Sequence, residues 1–292
     1  MSIDLHIHSS NSDGTDKIED ILNIAIEQQL RAISITDHEF LSEVENTNLI
    51  EIIPGVEMSV SWYDLELENP FAGIHLLIYF LKKDTPIYEL LSKIRIEKKN
   101  RNYEILEKLK KVGVEIERKE LDDLETKVPG RPHIANLMKS KGYVTSLNEA
   151  FKEYLGNGKV GDSRIHQNPI EEVIDCAKES KCLVFLAHPH TLMSNKDYSF
   201  SKNWYDSAFV DRLGSLKNLG IHGVETYYSS YSKTTSSTLS EIVNNMNLLK
   251  SGGSDYHGDN KPDINIGFGY ESNKLNISYE LLELMKEKHA EL

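Results

Sequence analysis

Ile3-Asp4-Leu5-His6-Ile7-His8 is the stretch on which the reading of this chain turns. An extended strand sends every second side chain to the same face, so His6 and His8 are aimed at one point. Two imidazoles side by side in a core each need a partner for every ring nitrogen. A divalent cation satisfies both and favours the neutral form that ligation requires. The competing reading is a pair of surface histidines on an edge strand, and the rest of the sequence decides between them.

Working outward, Ser9 to Asp13 is a polar turn. A helix follows from about Asp16, with Asp16 and Glu19 as an acidic pair at its start and Ile18, Ile21, Leu22, Ala25 and Ile26 on one face. Ala32 to Thr36 is an apolar run that ends in Asp37-His38. Ile50 to Ile53 leads through Pro54-Gly55 into Val56-Glu57-Met58, and Gly73 to Leu81 reads as a strand with His75 near its start. From Thr85 to about Leu155 the texture becomes charged and helical, with Ile87, Leu90, Leu91, Ile94, Ile105, Leu106 and Leu109 at helical spacing. Alternation resumes at Pro169 with a helix to about Ser180, then Cys182 to Ala187 ending in His188. A helix (about Trp204 to Leu219), a strand (Ile221 to Thr226), a helix (Ser236 to Met246) and a strand (Leu248 to Gly252) complete the pattern, the last running into Asp255 and His257. Strands alternating with helices predict an α/β fold built as a parallel barrel, whose chemistry sits at the C-terminal strand ends. The expected organisation is a metal-binding barrel from 1–83 and 156–292, with 84–155 an inserted helical subdomain that caps the substrate.

With 33 basic and 46 acidic side chains the formal charge is −13, which excludes a protein that grips long duplex nucleic acid by phosphate neutralisation alone. The segment from Lys93 to Lys111 nevertheless carries eight Lys/Arg against three Glu and leaves a local anion site open. No apolar run approaches the roughly 18 residues that cross a bilayer, and no leader pattern opens the chain, so a soluble cytoplasmic protein is expected. Cys176 and Cys182 form no CxxC motif and read as reduced, buried thiols.

The donors collected at strand ends are His6, His8, Asp13, His38, Glu57, His75, His188, Asp255 and His257. All offer nitrogen or oxygen, the set that suits Zn, Mn or Fe. One hydrolytic metal takes three or four protein ligands, so this many donors imply two or three divalent ions, with Glu57 the expected bridge. His166, His222 and His289 lack such a context and read as surface or satisfied core positions. Tyr227, Tyr228 and Tyr231 follow a strand end and serve either to stack a base or to pack.

In order, HxH at 6–8, Thr36-Asp37-His38, Pro54-Gly55-Val56-Glu57, Ile74-His75, Ala187-His188-Pro189 and Gly253-Ser254-Asp255-Tyr256-His257 resemble the PHP (polymerase and histidinol phosphatase) family, over residues 3 to about 270. The resemblance implies a distorted (βα)7 TIM-like barrel, two or three metals and phosphoester hydrolysis. The helical insertion and Gly130-Arg131-Pro132-His133-Ile134-Ala135 are similar to the branch acting on nucleotides and short oligonucleotide ends, namely nucleoside bisphosphate phosphatases and 5′-to-3′ exonucleases. Carried over, His6, His8, Glu57 and Asp255 hold the first metal, Glu57, His75 and His188 the second, and Asp13, His38 and His257 the third. His133 matches a histidine of that branch and either replaces one of these ligands or, as expected from its place after Arg131, faces the substrate. His190 departs from the small residue usual after that Ala-His-Pro, and narrows the pocket, contacts substrate or lies exposed.

The chemistry expected from such a resemblance is attack on phosphorus by a metal-bridging hydroxide, since the pKa of water falls from ~15.7 towards roughly 7 between two ions. Asp255 is expected to orient or deprotonate the nucleophile, and His133 to protonate the leaving group. Arg101 and Arg131 are the expected phosphate clamps, with Lys98 and Lys99 weaker candidates. The alternatives are a phosphatase for another small metabolite such as histidinol phosphate, and a non-catalytic metal-binding module for a partner protein. The second expects missing ligands, and none is missing.

Overall fold

In the computed structural model, which describes residues 2–292 apart from 46, 65–68, 157, 163–167 and 194–203, the first strand lies in the core. His166 falls outside the described residues. Strand β1 (Ser2–Ile7) is buried from Ile3 onward. Helix α1 (Ile18–Glu27) buries Ile21 and Ala25, and the chain returns as β2 (Ala32–Ile35), parallel to β1. A short β3 (Glu51–Ile52) pairs in parallel with β2. Next come β4 (Gly55–Asp64) and β5 (Asn69–Tyr79), an antiparallel pair.

Helix α2 (Pro86–Lys110) opens with proline, whose fixed φ and missing N–H suit the first turn. It serves two cores. Ile87, Leu90, Leu91 and Ile94 pack with the large sheet, whereas Ile105, Leu106 and Leu109 join a separate apolar cluster with Ile134, Ala135, Met138 and Leu155. That second cluster is closed by α3 (Arg118–Asp122), α4 (Arg131–Ser140) and α5 (Leu147–Ala150), the last continuing into a π-helical turn over Phe151–Leu155. The segment expected to be an insertion thus brings its own core.

After a short β6 (Asn168–Pro169), the alternation resumes with α6 (Ile170–Glu179), β7 (Leu183–Leu186), α7 (Ser207–Leu219), β8 (Gly223–Tyr228), α8 (Lys233–Asn245) and β9 (Leu249–Gly253). A final β10 (Ile277–Ser278) and α9 (Tyr279–Ala290), which the sequence pattern did not announce, pack Ile277, Leu282 and Met285 under β1.

The strands form a four-stranded sheet in the order β10-β1-β2-β3 and a six-stranded sheet in the order β6-β4-β5-β7-β8-β9. Isolated parallel bridges Ile7–Tyr256 and His38–Glu57 link the two. The fold is therefore α/β with largely parallel sheets, but not uniformly parallel as expected: β5 runs antiparallel to both β4 and β7. The reason is chain length. Only residues 65–68 separate β4 from β5, and a parallel crossover needs a dozen or more.

Candidate metal centre and substrate cavity

The strand ends converge. β1 supplies His6 and His8, the end of β2 leads to His38, β7 to His188, and β9 to Asp255 and His257. Glu57 and His75 break the strand-end rule because they lie inside β4 and β5, whose antiparallel pairing brings Glu57 opposite Leu77 and His75 opposite Ser59. Glu57 reaches the end of β2 through its bridge to His38.

Glu57, which is buried, is the hub. Its Oε2 lies 3.0 Å from His8 Nε2, 3.3 Å from His6 Nε2 and 3.5 Å from His38 Nδ1. Its Oε1 lies 2.9 Å from both His75 Nδ1 and His188 Nε2. Asp255 Oδ1 stands 3.5 Å from the Nε2 atoms of His6 and His8. Asp13 Oδ1 is 3.3 Å from His257 Nε2 and 3.5 Å from His8 Nδ1, and its Oδ2 is 3.7 Å from His38 Nε2.

Among the described residues, three groups place their ligand atoms within 4.8 Å of one another: His6, His8, Glu57 and Asp255; His8, Asp13, His38 and His257; and His38, Glu57 and His75. All nine expected donors thus come together, with two differences from the expected partition. His8 and His38 each fall in two groups, and His188 falls in none of the three but places its Nε2 2.9 Å from Glu57 Oε1.

These residues fit divalent cations. The Nε2 atoms of His6 and His8 face each other at 3.2 Å, an approach that lone pairs resist unless a proton or a cation lies between them. His38 Nδ1 and His188 Nδ1 are buried and make no hydrogen bond. Burial, with His257 and His38 nearby, pushes the His8 ring down to about 3, so it stays in the neutral, ligating form. Burial opposes a charged His6, yet Glu225, Glu57 and Asp255 outweigh it and raise its pKa well above the ordinary value. Burial also opposes ionisation of Glu57, but the surrounding imidazoles hold its carboxyl well below the usual range.

Three carboxylates that the sequence reading passed over position these donors. Glu225, fully buried on β8, accepts from His6 Nδ1 at 2.9 Å and from the His188 amide at 2.6 Å, so one side chain orients ligands from two strands. Asp37 accepts from the Ser9 amide at 2.8 Å and from the hydroxyls of Ser9 and Ser12 at 2.6 Å, and also binds Ser42, fixing the turn that carries Asp13. Asp4 accepts from the amides of Ser254 and Gly267 at 2.9 and 2.8 Å beside the end of β9. Each is a carboxylate within or at the end of an apolar strand, a signal available in the sequence. His188 and Asp255 also adopt positive φ, +27° and +57°, uncommon for such residues and typical of functional sites.

Two cavities open onto the donors and share Asp13, His38, His75, Pro132 and Phe151. The first is lined by Lys98, Arg101 and Arg131. Arg101 Nε is buried there without a hydrogen-bond partner, whereas Lys98 pairs with the buried Glu39. Lys99 pairs instead with Asp122 at 3.0 Å on an exposed face, away from the cavity.

His133 and His190 are not among the described lining residues of either cavity. His133 Nδ1 accepts from the Gly130 amide at 3.1 Å, and its ring is held to the Ser12 backbone. Burial lowers its pKa, and with Nδ1 engaged by the Gly130 amide and the ring bonded to the Ser12 backbone, His133 braces the helical insertion against the Asp13 turn. His190 lies 2.6 Å from the Tyr231 hydroxyl in an aromatic cluster with Trp204 and Tyr228, pushed by burial and by His188 down to about 3. Tyr231 packs in that cluster, 5% exposed, while Tyr228 donates to Asp255 Oδ2 at 2.8 Å. No helix among the described residues is long and apolar enough to cross a membrane.

The model of the PHP domain matches residues 4–161. The chain is 26% identical over 261 residues to a 5′-3′ exoribonuclease of Haemophilus influenzae, covering 87% of this chain and 89% of that one. It is 23% identical over 278 residues to a phosphoribosyl 1,2-cyclic phosphate 1,2-diphosphodiesterase of Eggerthella lenta, covering 92% and 98%, and 23% identical over 282 residues to a 3′,5′-nucleoside bisphosphate phosphatase of Chromobacterium violaceum, covering 91% and 90%. Among solved structures, a Bifidobacterium adolescentis protein described as a metal-dependent phosphoesterase superposes with a TM-score of 0.76 at 20% identity, covering 99% of this chain and 96% of that one. With the family model matching more than half its length, the chain belongs to the PHP domain family.

Proposed function

We propose that this protein is a metal-dependent phosphoesterase that hydrolyses phosphate esters of nucleotides or of short oligonucleotide ends. The carrying observation is one cluster, in which three groups of His, Asp and Glu donors are linked by Glu57, His8 and His38 and open onto a cavity lined by Arg101, whose Nε lacks a hydrogen-bond partner. The relatives act on an RNA end, a cyclic phosphate and a bisphosphorylated nucleoside by name, which supports a phosphorylated nucleotide or ribose as the substrate class.

Two or three ions are proposed, one on His6, His8, Glu57 and Asp255, the others on His8, Asp13, His38 and His257 and on Glu57, His38 and His75, with His188 beside them. When bound, divalent ions supply Lewis acidity to phosphoryl oxygens and acidify water.

The chain's own groups do the remainder. Arg101 and Arg131 bind a substrate phosphate, Arg101 through the nitrogen that otherwise lacks a partner. Pro132, Leu147 and Phe151, from the helical segment at 84–155, wall the cavity and exclude water, which gives that segment the role of a substrate cap. Asp255 serves as a ligand through Oδ1, while its Oδ2 accepts from Tyr228 and Lys261. The barrel form suggested by family resemblance goes with the two inter-sheet bridges.

The test is turnover by manganese-loaded protein of a 3′,5′-bisphosphorylated nucleoside, a short 5′-phosphorylated RNA and a panel of non-nucleotide phosphomonoesters. Phosphate or mononucleotide release is expected from the first two, and R101M is expected to raise KM tenfold or more. Turnover confined to non-nucleotide esters, or none from fully metallated protein, overturns the reading.

A further inference from the structure

The second cavity has a cation of its own. Among its described lining residues Lys261 is the one Lys or Arg, and it shares that lining with Glu57, His188, Asp255 and His257, whereas Arg101 and Lys98 line the first cavity. Its Nζ lies 2.6 Å from Asp255 Oδ2 while 40% of the side chain remains exposed, so the ammonium sits at the boundary between the donors and the open cavity.

The backbone places it there deliberately. Lys261 follows a short 3₁₀ turn, Gly258–Asn260, closed by its own amide on the Gly258 carbonyl at 3.0 Å. The Asp259 amide donates to Thr15 Oγ1 at 2.9 Å, and Asn260 Nδ2 donates to the Asp13 carbonyl at 2.7 Å. Gly258, at φ +61°, lets the turn approach Thr15 closely: a Cβ at 258 would come within 2.0 Å of that hydroxyl. The backbone of Lys261 is therefore anchored to the same turn that presents Asp13, while its flexible side chain carries the ammonium to Asp255.

We propose that Lys261 is a substrate-binding residue whose ammonium passes from Asp255 to an oxygen of the reacting phosphoryl group. This rests on the reading of the site as a phosphoesterase centre. With divalent ions on Oδ1, the negative charge that Asp255 offers Lys261 is drawn down. A phosphate monoester entering the cavity brings about two negative charges within reach. A lysine is suited to the exchange, because its ammonium is a point charge on a flexible stem that needs no fixed fork geometry. Asp255 is not stranded by the transfer, since Oδ2 keeps the Tyr228 hydroxyl at 2.8 Å. The result is a phosphoryl group held between Lys261 on one side and the metal donors on the other, with Arg101 and Arg131 left for a more distant anionic group of the substrate.

The experiment is calorimetric binding of inorganic phosphate to manganese-loaded wild type, K261M and K261R, with metal content measured on each sample. K261M keeps the stem and removes the charge. Its phosphate affinity is expected to fall tenfold or more at unchanged metal content, with partial recovery in K261R and a matching rise in KM for any ester turned over. Unchanged phosphate affinity in K261M overturns the proposal, as does wild type that binds no phosphate. Loss of metal from K261M in step with phosphate also overturns it, because Lys261 would then act by holding Asp255. Phosphate binding is read without turnover, so a wild type that binds phosphate through Lys261 yet hydrolyses no ester would fail the proposed reaction and leave this anion contact standing.

Discussion

Glu57 and Glu225 are both buried carboxylates surrounded by histidine, yet they do different work. Glu57 presents its oxygens to the ring nitrogens that face the cavity, whereas Glu225 takes the far nitrogen of His6 and the backbone of His188. A ring whose Nδ1–H is tied to a carboxylate has its tautomer and direction fixed, and removing such a partner typically costs 10- to 100-fold in metal affinity. E225Q offers one acceptor oxygen where two are used, so manganese affinity measured by competition with a chelator is expected to fall by about that factor. Unchanged affinity would show that packing alone orients His6. The sequence announced most of the nine donors because they follow or interrupt an apolar run, but Glu225 has the same signature, and the histidine nearest to it in the chain, His222, is not its partner: the His222 Nδ1 accepts from the Val184 amide. The partners of Glu225 lie 219 and 37 residues away, a relation that spacing does not show.

At the scale of elements, one residue docks the longest helix onto the sheet that carries the site. Glu39, buried at φ +49° just beyond β2, accepts from the Ser59 amide at 3.0 Å and pairs with Lys98 of α2, while its carbonyl accepts from Arg95 at 3.1 Å. Burial acts to raise its carboxyl, but Lys98 and His38 outweigh that and hold it below the usual range. A carboxyl depressed in the folded state contributes stability that is fully present above the unfolded value of about 4.3 and is lost as pH falls through the lower folded one. E39Q leaves the Lys98 ammonium buried without its counter-ion, and is expected to cost about 3 kcal/mol, the low end for a broken buried pair. Urea melts of metal-free protein from pH 7 downward should show wild type losing that increment below about pH 4.3 while E39Q is flatter there. Parallel curves would remove the pair as the docking contact. Sequence periodicity marked the start of the helical stretch at Thr85, immediately before α2, but did not divide that stretch into its helices and gave β5 the wrong sense, because a strand's direction against its neighbours depends on the length of its connections.

Over the whole molecule, a cluster this crowded with imidazole and carboxylate is held by its scaffold at a cost that bound cations offset. Manganese-loaded protein is therefore expected to melt above chelator-treated protein, by about 2.7 kcal/mol per site at a hundredfold excess over Kd, and equal melting temperatures would contradict the metal assignment. Legible in the sequence by itself were most of the element alternation, nine candidate donors, eight of which fall in the three groups, and the helical character of 84–155, since period and ligand type are local properties of residues. Only the tertiary structure decided that His8 and His38 each serve two groups, that His133 braces a turn, that Asp255 has one oxygen already engaged, and that Lys261 and Arg101 line different cavities on the donors. Those are distances between residues remote in the chain, set by the pairing of two sheets and the seating of a helix, and no local pattern encodes them.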